Sequence, residues 1–177
     1  RQTAAAAQSG FWIRALETAE KLRPGFSTSA DGRRVARQIA GALKAGRNCI
    51  LSTRSAPRAE EARRAQAAGV DRGRIPEVIA ENLAGITGEL IGLFPLPTLV
   101  IFGGDTTMAV LSVLEERTLV PVTELLPGIP LSYIRGRDLH LVTKSGGFGD
   151  EDVLPKIAGA CVSRGFPGHS PPGKKSL

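Results

Sequence analysis

The sequence is poor in the side chains that carry most metal and nucleophile chemistry. Among 177 residues there are two cysteines, two histidines, one methionine, one tryptophan and one tyrosine. Neither His140 nor His169 has a cysteine, aspartate or glutamate at metal-ligand spacing, so no metal site is expected. His140 lies in an alternating Leu-His-Leu run and reads as an outward strand residue. Ser145 has no evident histidine partner, which argues against nucleophilic hydrolysis. Cys49 and Cys161 sit in apolar surroundings without Cys-x-x-Cys spacing, and are expected to be buried free thiols in a reducing, cytoplasmic setting.

Long hydrophobic runs are also lacking. The stretch from Pro97 to Phe102 is far too short to span a bilayer, and the first residues have no basic start followed by an apolar stretch. Nothing in the sequence points to a membrane or to export. The first residue is Arg1 and the single methionine is Met108, so the sequence is expected to be part of a longer chain.

What is present is ordinary for one globular domain: 42% hydrophobic and 23% charged residues. The net charge of +6 is uneven, with 15 basic and 6 acidic side chains in residues 1–75 against 8 and 11 in residues 76–177. In the basic half the rings are Phe11, Trp12 and Phe26, which do not interleave with the cations as a nucleic-acid surface requires. A solvated helix face or a surface for an anionic partner explains the charge more simply, and no nucleic-acid partner is expected.

Periodicity predicts helices ending in the alanines 4–7, over 31–45, 59–68 and 75–93, from 106 to 116 and over 152–163. The 75–93 stripe should be the longest, with Pro76 tolerated in its first turn. Strands are predicted at 11–16, 48–53 and 98–102, then as three short extended runs at 119–125, 131–134 and 139–143. The expected fold is α/β, a three-layer-like mixed sheet flanked by helices, with antiparallel strands toward the C-terminal part. Residues 1–164 form the domain and 165–177 a flexible tail.

Two glycine turns stand out. Gly103-Gly104-Asp105-Thr106-Thr107 follows one predicted strand, and Lys144-Ser145-Gly146-Gly147-Phe148-Gly149 follows another. Glycines at the end of a strand let the backbone approach a phosphate and adopt positive φ, while Asp105, Thr106 or Thr107 can cap the next helix. Alone, the first turn reads equally as a tight strand-to-helix connection. The second adds a lysine, a hydroxyl and open backbone at one place, which favours anion binding, although Lys144 can also pair with a neighbouring carboxylate. Asp150 and Asp152 read as helix-capping residues rather than metal ligands. Neither turn has the order of a Walker A loop or of a dinucleotide G-x-G-x-x-G.

Val100-Ile101-Phe102-Gly103-Gly104-Asp105-Thr106, Glu124-Leu125-Leu126-Pro127-Gly128-Ile129-Pro130 and Leu141-Val142-Thr143-Lys144-Ser145-Gly146-Gly147-Phe148-Gly149 together resemble the C-terminal nucleotide-binding domain of the four-carbon acid sugar kinase family. The three blocks keep the family's order and spacing, and the resemblance runs to about Arg164. It implies an ATP-dependent kinase of acids such as threonate, erythronate or 3-oxotetronate, with Mg²⁺ and with a separate N-terminal domain that binds the sugar acid.

By position the resemblance places ATP contacts on Gly103, Gly104, Asp105, Thr106 and Gly146. Lys144, Ser145 and Gly147 are added by the physical argument. Asp105 is then expected to bind Mg²⁺ through water, to orient the turn, or to act as general base, and Lys144 to steady negative charge. The family's serine in a Gly-Ser turn upstream of the helix resembling Arg1-Gln2-Thr3-Ala4 lies outside this sequence. The expected partners are therefore ATP, a sugar acid held by the separate domain, and a second copy of the chain. A non-catalytic nucleotide-sensing or anion-binding module is the alternative.

Overall fold

The computed structural model describes residues 1–53, 56–116, 118–146 and 149–165. The predicted Gly147 contact and the 166–177 part of the tail lie outside the described residues. The fold is mixed α/β, as the periodicity predicts, and its strands hydrogen bond as two sheets. Helix α1 (Gln2–Gln8) leads to β1 (Trp12–Leu16), which pairs in parallel with β2 (Cys49–Thr53). Between them run α2 (Thr18–Lys21), a 3₁₀ turn at Phe26–Thr28 and α3 (Ala30–Lys44). Helices α4 (Arg58–Ala67) and α5 (Ile75–Leu93) follow. The second sheet contains β3 (Thr98–Phe102), β4 (Leu119–Leu126), β5 (Ile129–Ile134) and β6 (His140–Lys144) in the order β3-β6-β5-β4. Helix α6 (Gly104–Val113) joins β3 to β4, and α7 (Val153–Ser163) closes the described chain.

The second sheet is parallel where β3 meets β6 and antiparallel across β6, β5 and β4. Two hairpin connections make the antiparallel half, with Gly128 (φ +75°) and Gly136 (φ +83°) supplying the left-handed turn positions. Alternation along the strands sorts their side chains onto two faces. Ile101, Ile134 and Leu141 pack with Val110 of α6, with Leu114 just after that helix and with Ala84 of α5. Leu131, Val142 and Leu125 pack on the opposite face against Val153, Ile157 and Cys161 of α7. Helices thus cover both sides of this sheet.

Helix α5 has 19 residues, about 28 Å at the usual rise. Its stripe is wide enough to serve two cores: Ile86 and Leu90 join Val35, Ala36 and Ile39 of α3 over the β1–β2 pair, while Ala84 faces the second sheet. Helix α3 begins at Ser29, whose hydroxyl accepts from the Gly32 amide (3.2 Å), and stops before Gly46 at φ +76°.

Several expectations shift. Helix α6 begins at Gly104 rather than at 106, because Gly103 (φ +102°, ψ 135°) makes the break itself. Strand β6 extends to Lys144, which buries that side chain to 5% exposure. Helix α2 has no counterpart in the periodicity; one turn long, it forms through a capping box in which the side chains of Glu17 and Glu20 satisfy each other's amides. Both cysteines are free, but Cys49 is half-buried whereas Cys161 is buried. His140 is half-buried too, its ring edge-on to Tyr133 across the β5–β6 ladder with centroids 5.4 Å apart. No helix among the described residues is long and apolar enough to cross a membrane.

Candidate functional site

Strands β3 and β6 run side by side in the same direction, with Phe102 opposite Lys144. The two glycine turns therefore leave neighbouring strand ends. The amide of Gly103 donates to the carbonyl of Lys144 at 3.0 Å, so the ladder continues one step into the turns. In an open α/β sheet, the carboxyl ends of adjacent parallel strands border the ligand crevice.

The first turn leaves its amides open. Gly103 is the N-cap of α6, and no side chain caps the helix. Asp105 and Thr106, expected as possible caps, do not act as such, and Thr107 turns its hydroxyl to donate to the Gly103 carbonyl (2.9 Å) instead of receiving an amide. The amides of Gly104, Asp105 and Thr106 thus precede any intrahelical acceptor and point out of the helix start, where its dipole favours negative charge. Gly104 and Asp105 are exposed, and Gly103 and Thr106 half-exposed. A Cβ at Gly103 or Gly104 would meet nothing within 4 Å, so this face is open space.

In the second turn Ser145 and Gly146 are exposed, while Lys144 lies beneath them. Its Nζ donates to the Ser145 carbonyl (2.9 Å) and sits 4.7 Å from the centroid of the Phe102 ring. The neighbouring carboxylate that could have paired with this lysine is not found among the described residues. A carbonyl and a ring face compensate a buried ammonium only in part, which leaves net positive charge under the turn. Asp150 and Asp152 do not cap α7 with their side chains; both pair with Lys156, at 3.3 and 2.9 Å, because that lysine lies one helical turn beyond Asp152. These hydrogen bonds, Asp152 first, hold the Lys156 ammonium above its ordinary pKa.

Two features of this region were not legible beforehand. Nε2 of Gln2 in α1 donates to the carbonyls of Gly149 (3.0 Å) and Asp150 (3.3 Å), tying the first helix to the second turn. A separate groove of about 220 Å³ lies at the ends of β1 and β2, lined by Glu17, Thr18, Ala19, Pro57, Glu60 and Arg64 among others, and shares no residue with the glycine turns. No cluster of three or more histidine, cysteine or carboxylate side chains able to hold a metal occurs among the described residues. Burial pushes the Cys49 thiol up to about 11, with Arg47 opposing the shift, which disfavours the nucleophilic thiolate.

The family model described as the nucleotide-binding C-terminal domain matches residues 1–154. The chain belongs to this family: it is a C-terminal nucleotide-binding domain of the four-carbon acid sugar kinase type. A D-threonate kinase of Bordetella bronchiseptica is 37% identical over 101 residues, 53% of this chain and 25% of that protein. A solved domain of unknown function from the same species, with bound citrate and as a domain-swapped dimer, is 27% identical with a TM-score of 0.65. That match covers 94% of this chain and 37% of the solved one. A Haemophilus influenzae protein at 17% identity and TM-score 0.69, covering 89% and 36%, shares the fold. The chain thus spans about a quarter of the curated relative and little more than a third of the solved ones.

Proposed function

We propose that this nucleotide-binding domain serves an ATP-dependent kinase of four-carbon sugar acids, of the threonate, erythronate or 3-oxotetronate type. The observation that carries the reading is the Gly103–Lys144 hydrogen bond, which sets the two glycine turns side by side at the ends of parallel strands. The D-threonate kinase relative supports the acceptor class.

Phosphoryl transfer needs a terminal phosphate held in line and its charge offset while a substrate oxygen attacks. In this reading the open amides of Gly104, Asp105 and Thr106 receive phosphate oxygens at the start of α6, and Gly103, whose own amide is bonded to Lys144, lets the backbone come close. Ser145 and Gly146 close the other side of the crevice, and Lys144 contributes positive charge from beneath. The donor set fits a nucleotide-bound Mg²⁺ rather than a resident one, since Asp105 is the exposed carboxylate in the first turn and no acidic cluster accompanies it among the described residues. When bound, Mg²⁺ would offset charge on the phosphates, with Asp105 the residue to meet it through water. Asp105 and Lys144 are the catalytic candidates of this chain.

The sugar acid would be held by residues outside this chain, in keeping with the fraction of its relatives that it spans. A homodimer is proposed by likeness to the domain-swapped dimers of the Bordetella bronchiseptica structures. The free cysteines suit a cytoplasmic setting, and neither a membrane nor a nucleic acid is proposed as partner.

Calorimetric titration with Mg-ATP tests the nucleotide site. Gly104→Val and Gly146→Val should each abolish ATP binding in a folded protein, and unchanged affinity in both would refute the assignment. Turnover of threonate, erythronate and 3-oxotetronate by the chain joined to a sugar-binding half tests the kinase reading, and ATP binding without turnover of any of them would favour a nucleotide-sensing module.

A further inference from the structure

Among the described residues, the side-chain hydrogen bonds that span the greatest sequence distance are those of Gln2, which join α1 to Gly149 and Asp150. They meet a segment already confined from within. Gly149 has φ +91°, and a Cβ there would stand 3.1 Å from Cε of Lys144 and 3.3 Å from Cγ2 of Val153. Both of those side chains are buried. The closing end of the second turn is thus held on its inner side by Lys144 and the start of α7, and bonded from α1 by Gln2.

Helix α1 is a firm support for such a bond. Ala6 is fully buried, and α1 packs against α7. The Arg1–Glu151 pair (3.6 Å) is exposed on both sides and adds little. Gln2 supplies an uncharged donor, so it can fix backbone carbonyls beside an anion site without changing the charge there. A turn fixed before ligand arrives spares binding the entropy of ordering it.

We propose that Gln2 is a positioning residue of the nucleotide site: by holding the carbonyls of Gly149 and Asp150 it keeps the exposed Ser145–Gly146 part of the turn presented to phosphate. The inference rests on the nucleotide reading above. It makes α1 a working part of the site rather than a covering helix.

Gln2→Met keeps the side chain's length and removes the donor, while Gln2→Lys keeps a donor. Losing the two hydrogen bonds to Gly149 and Asp150 should weaken Mg-ATP binding about three- to tenfold in Gln2→Met. Amide hydrogen exchange at Ser145, Gly146, Gly149 and Asp150 should quicken, Tm should stay unchanged, and Gln2→Lys should retain most of the affinity. Wild-type ATP affinity in Gln2→Met, unchanged exchange, or an affinity loss matched by a fall in Tm would each overturn the proposal. Gly146→Val separates the two readings. If it binds ATP normally the nucleotide assignment fails, whereas if it loses ATP and Gln2→Met does not, the role of Gln2 alone fails.

Discussion

The Gly103 amide and the Lys144 carbonyl, 3.0 Å apart, join the ends of β3 and β6 just where each strand gives way to its glycine turn. Making that bond requires Gly103 to sit at φ +102°, ψ 135°, a conformation essentially closed to residues with a Cβ. Since a Cβ at Gly103 would touch nothing, the cost of Gly103→Ala is backbone strain alone. We expect about 1–3 kcal/mol of destabilisation by denaturant unfolding, together with weakened ATP binding. Gly104→Ala, in the helical first turn with equally open surroundings, should be neutral or slightly stabilising.

Asn82 is a buried polar side chain in the apolar stripe of α5, and it organises the loop after β1. Its Nδ2 donates to the carbonyls of Lys21 (3.1 Å) and Arg23 (2.9 Å), and its Oδ1 accepts from the Ser27 amide (3.2 Å). Asn82→Ala would remove all three bonds, taking this acceptor from the Ser27 amide, while the Arg23 carbonyl keeps the Phe26 amide (3.1 Å). The expected loss is about 3 kcal/mol, seen as a Tm lower by roughly 6–12 °C. Asn82→Asp, which keeps the acceptor but brings a carboxylate against two carbonyls, should be no better.

Residues such as Asn82 explain why some of this fold could be read from the sequence and some could not. The 75–93 helix and the 98–102 strand were legible to the residue, because apolar periodicity and flanking proline and glycine punctuate them sharply. The strand pairing that brings the two glycine turns together was not, since β3 and β6 are separated in the chain by two other strands and their pairing leaves no local trace. Lys144 was legible as a cation near the turn but not as a buried one, which follows from a single extra strand residue placing it over Phe102. The role of Asn82 was not legible either, since its partners, the backbone of residues 21–27, carry no side-chain signature at all.

Helix α3 offers a matched pair of glycines. A Cβ on Gly32 would fall 2.2 Å from the Phe26 carbonyl oxygen and 2.7 Å from that of Ser27, both backbone, so the 3₁₀ turn would have to move off the helix. Gly41 on the same helix is exposed, with nothing within 4 Å of its Cβ position. Gly32→Ala should destabilise by about 2–4 kcal/mol, whereas Gly41→Ala should stabilise by about 0.5–1 kcal/mol through helix propensity. Equal effects from the two in urea unfolding would mean that the close approach of α3 to residues 26–27 is not maintained in solution.

The raised thiol pKa of Cys49 predicts both its reactivity and a pH dependence. Burial favours the neutral thiol in the folded state, with a pKa of about 11 against 9.0 for the free group. Because the folded pKa is the higher one, the folded state retains the proton that the unfolded chain gives up. The stabilisation is therefore fully present below pH 9, and it is lost as pH rises toward 11. Alkylation of Cys49 by iodoacetamide at pH 8 should accordingly run many-fold slower than in the urea-unfolded chain, where the thiol regains its ordinary acidity. Cys49→Ser should remove the part of the alkaline stability loss between pH 9 and 11 that this thiol contributes, while Cys161, also raised by burial, supplies a second and separable contribution. An alkaline unfolding profile unchanged by Cys49→Ser, or labelling of the folded protein as fast as of the unfolded chain, would mean that the thiol is more solvated than its packing against α3 implies.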